Sequence, residues 1–222
     1  MYDKKYAVID CENSGLFDFT KPADAEGQPR LASLGIVVLN EDLSIFSEAE
    51  FLICPEGWQM EPGATLVNGL TTEYLKGAGG PVEHALQFYS DLINQGYIVA
   101  AYNAQFDLKQ MRAELRKKGM DDLFLKTPNV CLMRAATNVC KIPGKRGFKF
   151  PKLSEACEFF GLEPEPKPHN SLQGALRAVG VLRALAKLDA VPEAEVHKAK
   201  EKPVAIPPVP AAGAPAATEE AW

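Results

Sequence analysis

The chain has 222 residues, 46% of them hydrophobic and 24% charged, which is ordinary for a globular protein able to bury a sizeable core. No apolar run reaches the length of a membrane span, and a net charge of −5 with a pI near 5.4 argues against a broad basic surface that coats a duplex. Five cysteines (Cys11, Cys54, Cys131, Cys140 and Cys157) are scattered without CxxC spacing, so neither a zinc site nor a disulfide framework is expected. A reducing cytoplasm fits best, no membrane partner is expected, and Met1 to Lys5 carries no signal-peptide pattern.

The first element is Tyr6-Ala7-Val8-Ile9, apolar and β-forming as at the centre of a sheet, with Asp10 and Glu12 directly after it. A spacing of two puts both carboxylates on one face of an extended chain. At the end of a buried strand they repel each other and lose hydration. A divalent cation would remove both costs, and oxygen-only ligands suit Mg²⁺ or Mn²⁺. The plain alternative is a strand end with two solvated acids. Ser14-Gly15 then turns the chain, and Gly15 lets a ligand come close to the backbone.

Residues 16–28 mix Asp, Lys, Pro and Gly as a loop. Leu31 to Leu39 and Ile45 to Ile53 are the next strands, and their short turns predict an antiparallel meander. Pro62 to Leu75 reads as short helical turns, with Thr71 or Thr72 as a cap. Val82 to Asn94 has helical spacing and Gly96 ends it. Tyr97 to Tyr102 is a wholly apolar run, hence a strand covered on both sides. Helices are predicted at Gln105 to Lys118, Cys131 to Cys140, Lys152 to Phe160 and Ser171 to Leu188. Between the second and third of these lies a Gly-rich basic loop, Lys141 to Phe150, with Lys145, Arg146 and Lys149 as candidate phosphate contacts. From about Asp189 the composition turns to Ala, Pro, Glu and Lys, so residues 1–188 are read as the folded domain and residues 189–222 as a Pro/Ala-rich disordered tail.

Two more stretches carry chemistry. In Asn103-Ala104-Gln105-Phe106-Asp107 a buried strand leads into a helix with an acid in its first turn, a position the helix dipole also favours without any function. In Pro168-His169-Asn170-Ser171 a histidine precedes the last helix. Together with Asp10-Cys11-Glu12-Asn13-Ser14-Gly15, these stretches resemble the three motifs of the DEDD 3′–5′ exonucleases of the His subtype, the proofreading exonuclease and RNase T group. Val67-Asn68-Gly69-Leu70-Thr71 and Phe150-Pro151-Lys152-Leu153 resemble minor segments of the same family. The resemblance spans residues 4–188. It implies an RNase H-like fold, α/β, with a mixed five-stranded sheet flanked by helices.

The resemblance further implies hydrolysis of phosphodiester bonds at the 3′ end of single-stranded DNA or RNA by two divalent ions, Mg²⁺ or Mn²⁺. Asp10 would bridge both ions, Glu12 would hold the ion that activates water, and Asp107 would support the second. His169 would be the general base. Ser14, Gly15, Asn103 and Phe106 fall where relatives contact the terminal nucleotide or pack the site. One position departs from the pattern. The family's fourth acid lies five residues after the histidine, and here that residue is Gly174, with no Asp or Glu between Glu165 and Asp189. Gln173 as a neutral ligand, a water in the gap, or a crippled site are the open explanations, and weakened metal binding is the expectation. The alternative to an enzyme is a degenerate module that holds a 3′ end or a protein partner, the latter a use the tail also allows.

Overall fold

Every residue of the strand Leu31–Leu39 is buried, because helices cover the sheet on both faces and leave no side of this strand to water. In the computed structural model, which describes residues 4–163 and 169–198, this strand is β2 of a five-stranded mixed sheet. The other strands are β1 (Tyr6–Asn13), β3 (Ile45–Leu52), β4 (Ile98–Ala101) and β5 (Asn129–Cys131), in the order β3-β2-β1-β4-β5. β1 lies in the middle, antiparallel to β2 and parallel to β4, so its C-terminal end opens where the β4 chain leaves for a helix. The expected meander of three strands and the expected fold class are both present.

Seven helices occur among the described residues: α1 (Pro62–Asn68), α2 (Thr72–Ala78), α3 (Val82–Asn94), α4 (Ala104–Lys117), α5 (Leu132–Cys140), α6 (Leu153–Phe160) and α7 (Ser171–Lys187). The two faces of β1 sort them. Ala7, Ile9 and Cys11 pack with α3 and α4 residues such as Leu86, Tyr89, Leu108 and Met111. Tyr6 and Val8 pack with α5, α6 and α7 residues such as Leu132, Ala156, Val179 and Leu182. By the same alternation Asp10 and Glu12 belong to the α7 face. Thr71 caps α2, its hydroxyl accepting the Tyr74 N–H at 3.1 Å.

Three sequence expectations need correction. The helix expected over Cys131 to Cys140 begins one residue later, because Asn129-Val130-Cys131 pairs with β4 as β5. A three-residue strand is too short to show a period. The basic loop contains a two-stranded hairpin, β6 (Pro143–Gly144) and β7 (Gly147–Phe148), which its glycines concealed. The tail expected from Asp189 is packed in its first part. Asn129 and Glu195 exchange backbone hydrogen bonds at 2.8 and 3.0 Å along the free side of β5. The His197 ring stacks on Phe124 with centroids 4.1 Å apart, and Val191 and Ala194 lie against the α7-side core. Backbone pairing to a sheet edge needs little apolar surface, which is why composition alone missed it. The rest of the expected tail, residues 199–222, lies outside the described residues, as do residues 1–3 and 164–168.

Candidate active site

The site grows from the C-terminal end of β1. Asp107, on the first turn of α4, is 3% exposed, and its Oδ1 accepts the backbone N–H of Cys11 at 2.9 Å. That bond sets the α4 carboxylate beside the one residue separating Asp10 from Glu12. Burial pushes the Asp107 carboxyl well above its ordinary value. Burial also raises the Cys11 thiol, as do the negative charges of Asp107, Asp10 and Glu12. All three carboxylates thus act on the one thiol that lies between Asp10 and Glu12 in the chain.

α4 is held in place by a second buried acid. Asp107, Gln110 and Glu114 form a polar stripe on its inner face, all 3% exposed or less. Glu114 accepts from Arg30 Nε at 2.8 Å, Arg30 Nη2 at 2.9 Å and the Leu31 N–H at 3.0 Å. The pair clamps α4 to the start of β2. Ser14 closes the same corner: its Oγ accepts the Arg30 N–H, and its carbonyl accepts the Glu61 N–H, each at 2.8 Å. The Ser14 hydroxyl, expected to face substrate, is thus buried and engaged with backbone. Gly15 sits beneath the Glu61 carboxylate, which a Cβ at this position would overlap. Phe106 packs edge-on against Phe17, with centroids 5.6 Å apart, while Asn103 is exposed at the α4 entrance and its side chain makes no capping bond.

α7 approaches the sheet closely at two glycines. Gly35 of β2 pairs with Asp10, and a Cβ at Gly35 would overlap the Ser171 carbonyl. One turn later Gly174 meets Asp10: a Cβ there would overlap Oδ2 and stand 2.8 Å from Cγ. The position expected to carry the fourth acid thus faces Asp10 directly. Gln173 is the neighbour whose N–H is capped by Asn170 Oδ1 at 3.0 Å. Glu50 fastens this helix start, its Oε1 accepting from Asn170 Nδ2 at 2.7 Å and Ser171 Oγ at 3.2 Å. His169 is half-buried, and its N–H donates to the Val67 carbonyl at the end of α1 at 3.0 Å. Asn68 of that helix donates to the Asn13 carbonyl at 3.3 Å, so the histidine segment and the β1 end share one support.

The donor set suits a hard divalent cation in kind, being carboxylate oxygens. The buried, raised Asp107 carboxyl is a group whose ionised form a cation would favour. Among the described residues, however, no three His, Cys, Asp or Glu side chains close into a metal-holding group, and α7 contributes no carboxylate. Sequence reasoning missed Glu61, which covers Gly15, and the apolar Leu16 and Leu66, which are 85% and 87% exposed. Nothing in their local pattern marks them, since exposure is set by the tertiary contact of α1 with the β1 end. It also missed Asn13, whose buried amide oxygen and nitrogen have no protein partner.

A mixed sheet whose central strand ends in acids, met there by an acid from the next helix and crossed by a final helix, defines an RNase H-like nuclease domain. The chain belongs to the RNase_T exonuclease family, whose profile matches residues 7–182. It is 26% identical over 129 residues to an uncharacterised exonuclease, CP81, of Escherichia phage 186, a match covering 56% of this chain and 66% of that protein. The fold is similar to that of Escherichia coli exonuclease I in complex with a dT13 oligonucleotide, with a TM-score of 0.68 at 16% identity over 83% of this chain and 41% of the other. It is equally similar to a 3′-exonuclease solved for its recognition of the histone mRNA stem-loop, with a TM-score of 0.68 at 15% identity over 88% of this chain and 86% of that one. The chain thus spans less than two thirds of the phage protein and of exonuclease I.

Proposed function

We propose that the chain is a metal-dependent 3′–5′ exonuclease of the DEDD type, His subtype, acting on single-stranded DNA or RNA ends, with metal binding weakened at Gly174. The observation that carries this reading is the Cys11 N–H to Asp107 bond, which puts a third carboxylate beside the Asp10 and Glu12 pair. Two divalent ions, Mg²⁺ or Mn²⁺, would supply a clamp on the attacking and leaving oxygens of the phosphodiester. Asp10, Glu12 and Asp107 are the residues to hold them. His169 is the residue to take the proton from the attacking water. Gly15 and Asn103 border the path of the terminal nucleotide, Ser14 fixes the backbone beneath it, and Phe106 braces α4 through Phe17. Leu16 and Leu66 offer apolar contact to its base.

A second reading has its own support. Gly174 against Asp10 leaves α7 without a ligand, which suits a degenerate module that holds a 3′ end without cutting. One assay separates the two. A 5′-labelled single strand incubated with the chain and Mn²⁺ should shorten stepwise from its 3′ end, and Asp10→Asn should abolish the ladder. Strand binding with no shortening in either Mn²⁺ or Mg²⁺ would favour the degenerate module.

A further inference from the structure

The hairpin of β6 and β7 stands away from the core. Its tip is Lys145-Arg146, the left-handed Gly147 at φ 101° completes the turn, and residues 143–148 are all exposed. Phe148 and Phe150 follow, 54% and 59% exposed. They are two residues apart, the spacing that in an extended chain turns side chains the same way. Lys149 between them pairs with Glu155 at 2.5 Å, so it is committed to the start of α6. The segment thus offers two exposed aromatic rings close in sequence to two cations at the hairpin tip. Its root is tied to the site: the Tyr102 hydroxyl donates to the Pro151 carbonyl at 2.8 Å, and Tyr102 immediately precedes Asn103 and the α4 turn that carries Asp107.

Exposed rings interleaved with cations match one ligand chemistry, a single nucleic-acid strand. Its unpaired bases present faces for stacking while its phosphates seek positive charge. A duplex keeps those faces stacked within itself and cannot use the rings. We infer that the segment 143–150 is a stacking platform for the single strand upstream of its 3′ terminus, with bases on Phe148 and Phe150 and phosphates at Lys145 and Arg146. The inference rests on the exonuclease reading for the direction of the strand, and it extends the phosphate role of the basic loop to base contact.

The test uses the full chain carrying Asp10→Asn, so that no strand is consumed, and a fluorescent 15-mer single strand, roughly the span one such groove can track. A matched 15-mer with abasic sites in its upstream half keeps every phosphate and removes the faces to be stacked. The parent should prefer the complete strand roughly tenfold or more, as stacking energies per base allow. Phe148→Ala with Phe150→Ala should lose that preference and bind both strands as the parent binds the abasic one. Phe148→Trp with Phe150→Trp should keep it, which a structural role for the rings would not require. Equal binding of complete and abasic strands by the parent, or an unchanged preference in the alanine pair, overturns the platform. Stepwise shortening by the unmutated chain is scored separately, so a failed exonuclease reading and a failed platform give different results.

Discussion

Gly174→Asp is the perturbation that bears most directly on how α7 meets the sheet. A Cβ at this position overlaps Asp10 Oδ2 and stands 2.8 Å from Cγ and 3.3 Å from Oδ1, where ordinary contact begins at 3.4 Å. All three atoms belong to the end of one side chain, so a rotation of Asp10 relieves the overlap at a cost of about 0.5–1.5 kcal/mol. Two carboxylates brought to about 4 Å add repulsion of up to about 4 kcal/mol at an effective dielectric constant near 20. Relief of helix-interior glycine returns less than about 1 kcal/mol. Without metal the variant should therefore be less stable by a few kcal/mol, a fall in Tm of roughly 5–15 °C for a domain of this size. With Mn²⁺ the same carboxylate becomes a ligand. Binding tightened tenfold to a hundredfold corresponds to about 1.4–2.8 kcal/mol, visible as a larger metal-induced rise in Tm than the parent shows. Strand degradation should rise by at least roughly tenfold at limiting metal. Gly174→Ala carries the same overlap without the ligand, so it should show neither gain. The assays are thermal unfolding with chelator or with titrated Mn²⁺, and degradation of a labelled single strand. If the parent degrades strands in Mg²⁺ as fast as Gly174→Asp, or if the alanine and aspartate variants respond equally to metal, the account of the gap is wrong.

Three other outcomes follow from described contacts. Because burial raises the Asp107 carboxyl above its ordinary 3.8, the folded chain binds more protons than the unfolded one. Stability from this group is full below that value and is lost as pH rises through the raised folded value, so in chelator the Tm of Asp107→Asn should gain on the parent from about pH 4 upward. A Tm difference that stays constant with pH would contradict the buried, uncompensated acid. Arg30→Met strands Glu114, which is 1% exposed, and should cost about 3–5 kcal/mol; denaturant unfolding measures it, and a loss under about 1 kcal/mol would show that the clamp on α4 lies elsewhere. Truncation after Leu188 should lower Tm by several degrees, because it removes the Glu195 backbone pairing and the His197 stack, worth about 1 kcal/mol each, whereas truncation after Lys198 should leave Tm unchanged.

The acidic strand was legible because its signal is local: alternation alone places Asp10 and Glu12 on one face once Tyr6 to Ile9 is read as a buried strand. Asp107 was legible only as one motif among three, since a first-turn acid is common without function, and what joins it to β1 is a bond to a backbone N–H that no side-chain pattern records. Gly174 was visible as an absent acid, yet its contact with Asp10 depends on how deeply α7 lies, which Gly35 sets from another strand. β5 and the hairpin went unread because three-residue and two-residue strands have no periodicity. Glu61, Leu16 and Leu66 were hidden for another reason: exposure is a tertiary property that no local pattern records.

The pairing of Glu195 with Asn129 also covers part of the sheet's outer edge. A sheet with open sides invites another copy to add a strand, and here both sides are partly closed. Glu195 occupies the outer side of β5, while Gly80 bonds Leu52 and Cys54 along the end of β3 at 2.9 Å. Among the described residues the stretch from Ile45 to Phe51 has no strand partner on its outer side; it carries Glu48 and Glu50 and would bring like charges together if two such edges met. Removal of residues 189–198 uncovers a short strand bearing Val130 and no acid, so a truncated chain loses more than melting temperature: it acquires a surface on which self-association can begin.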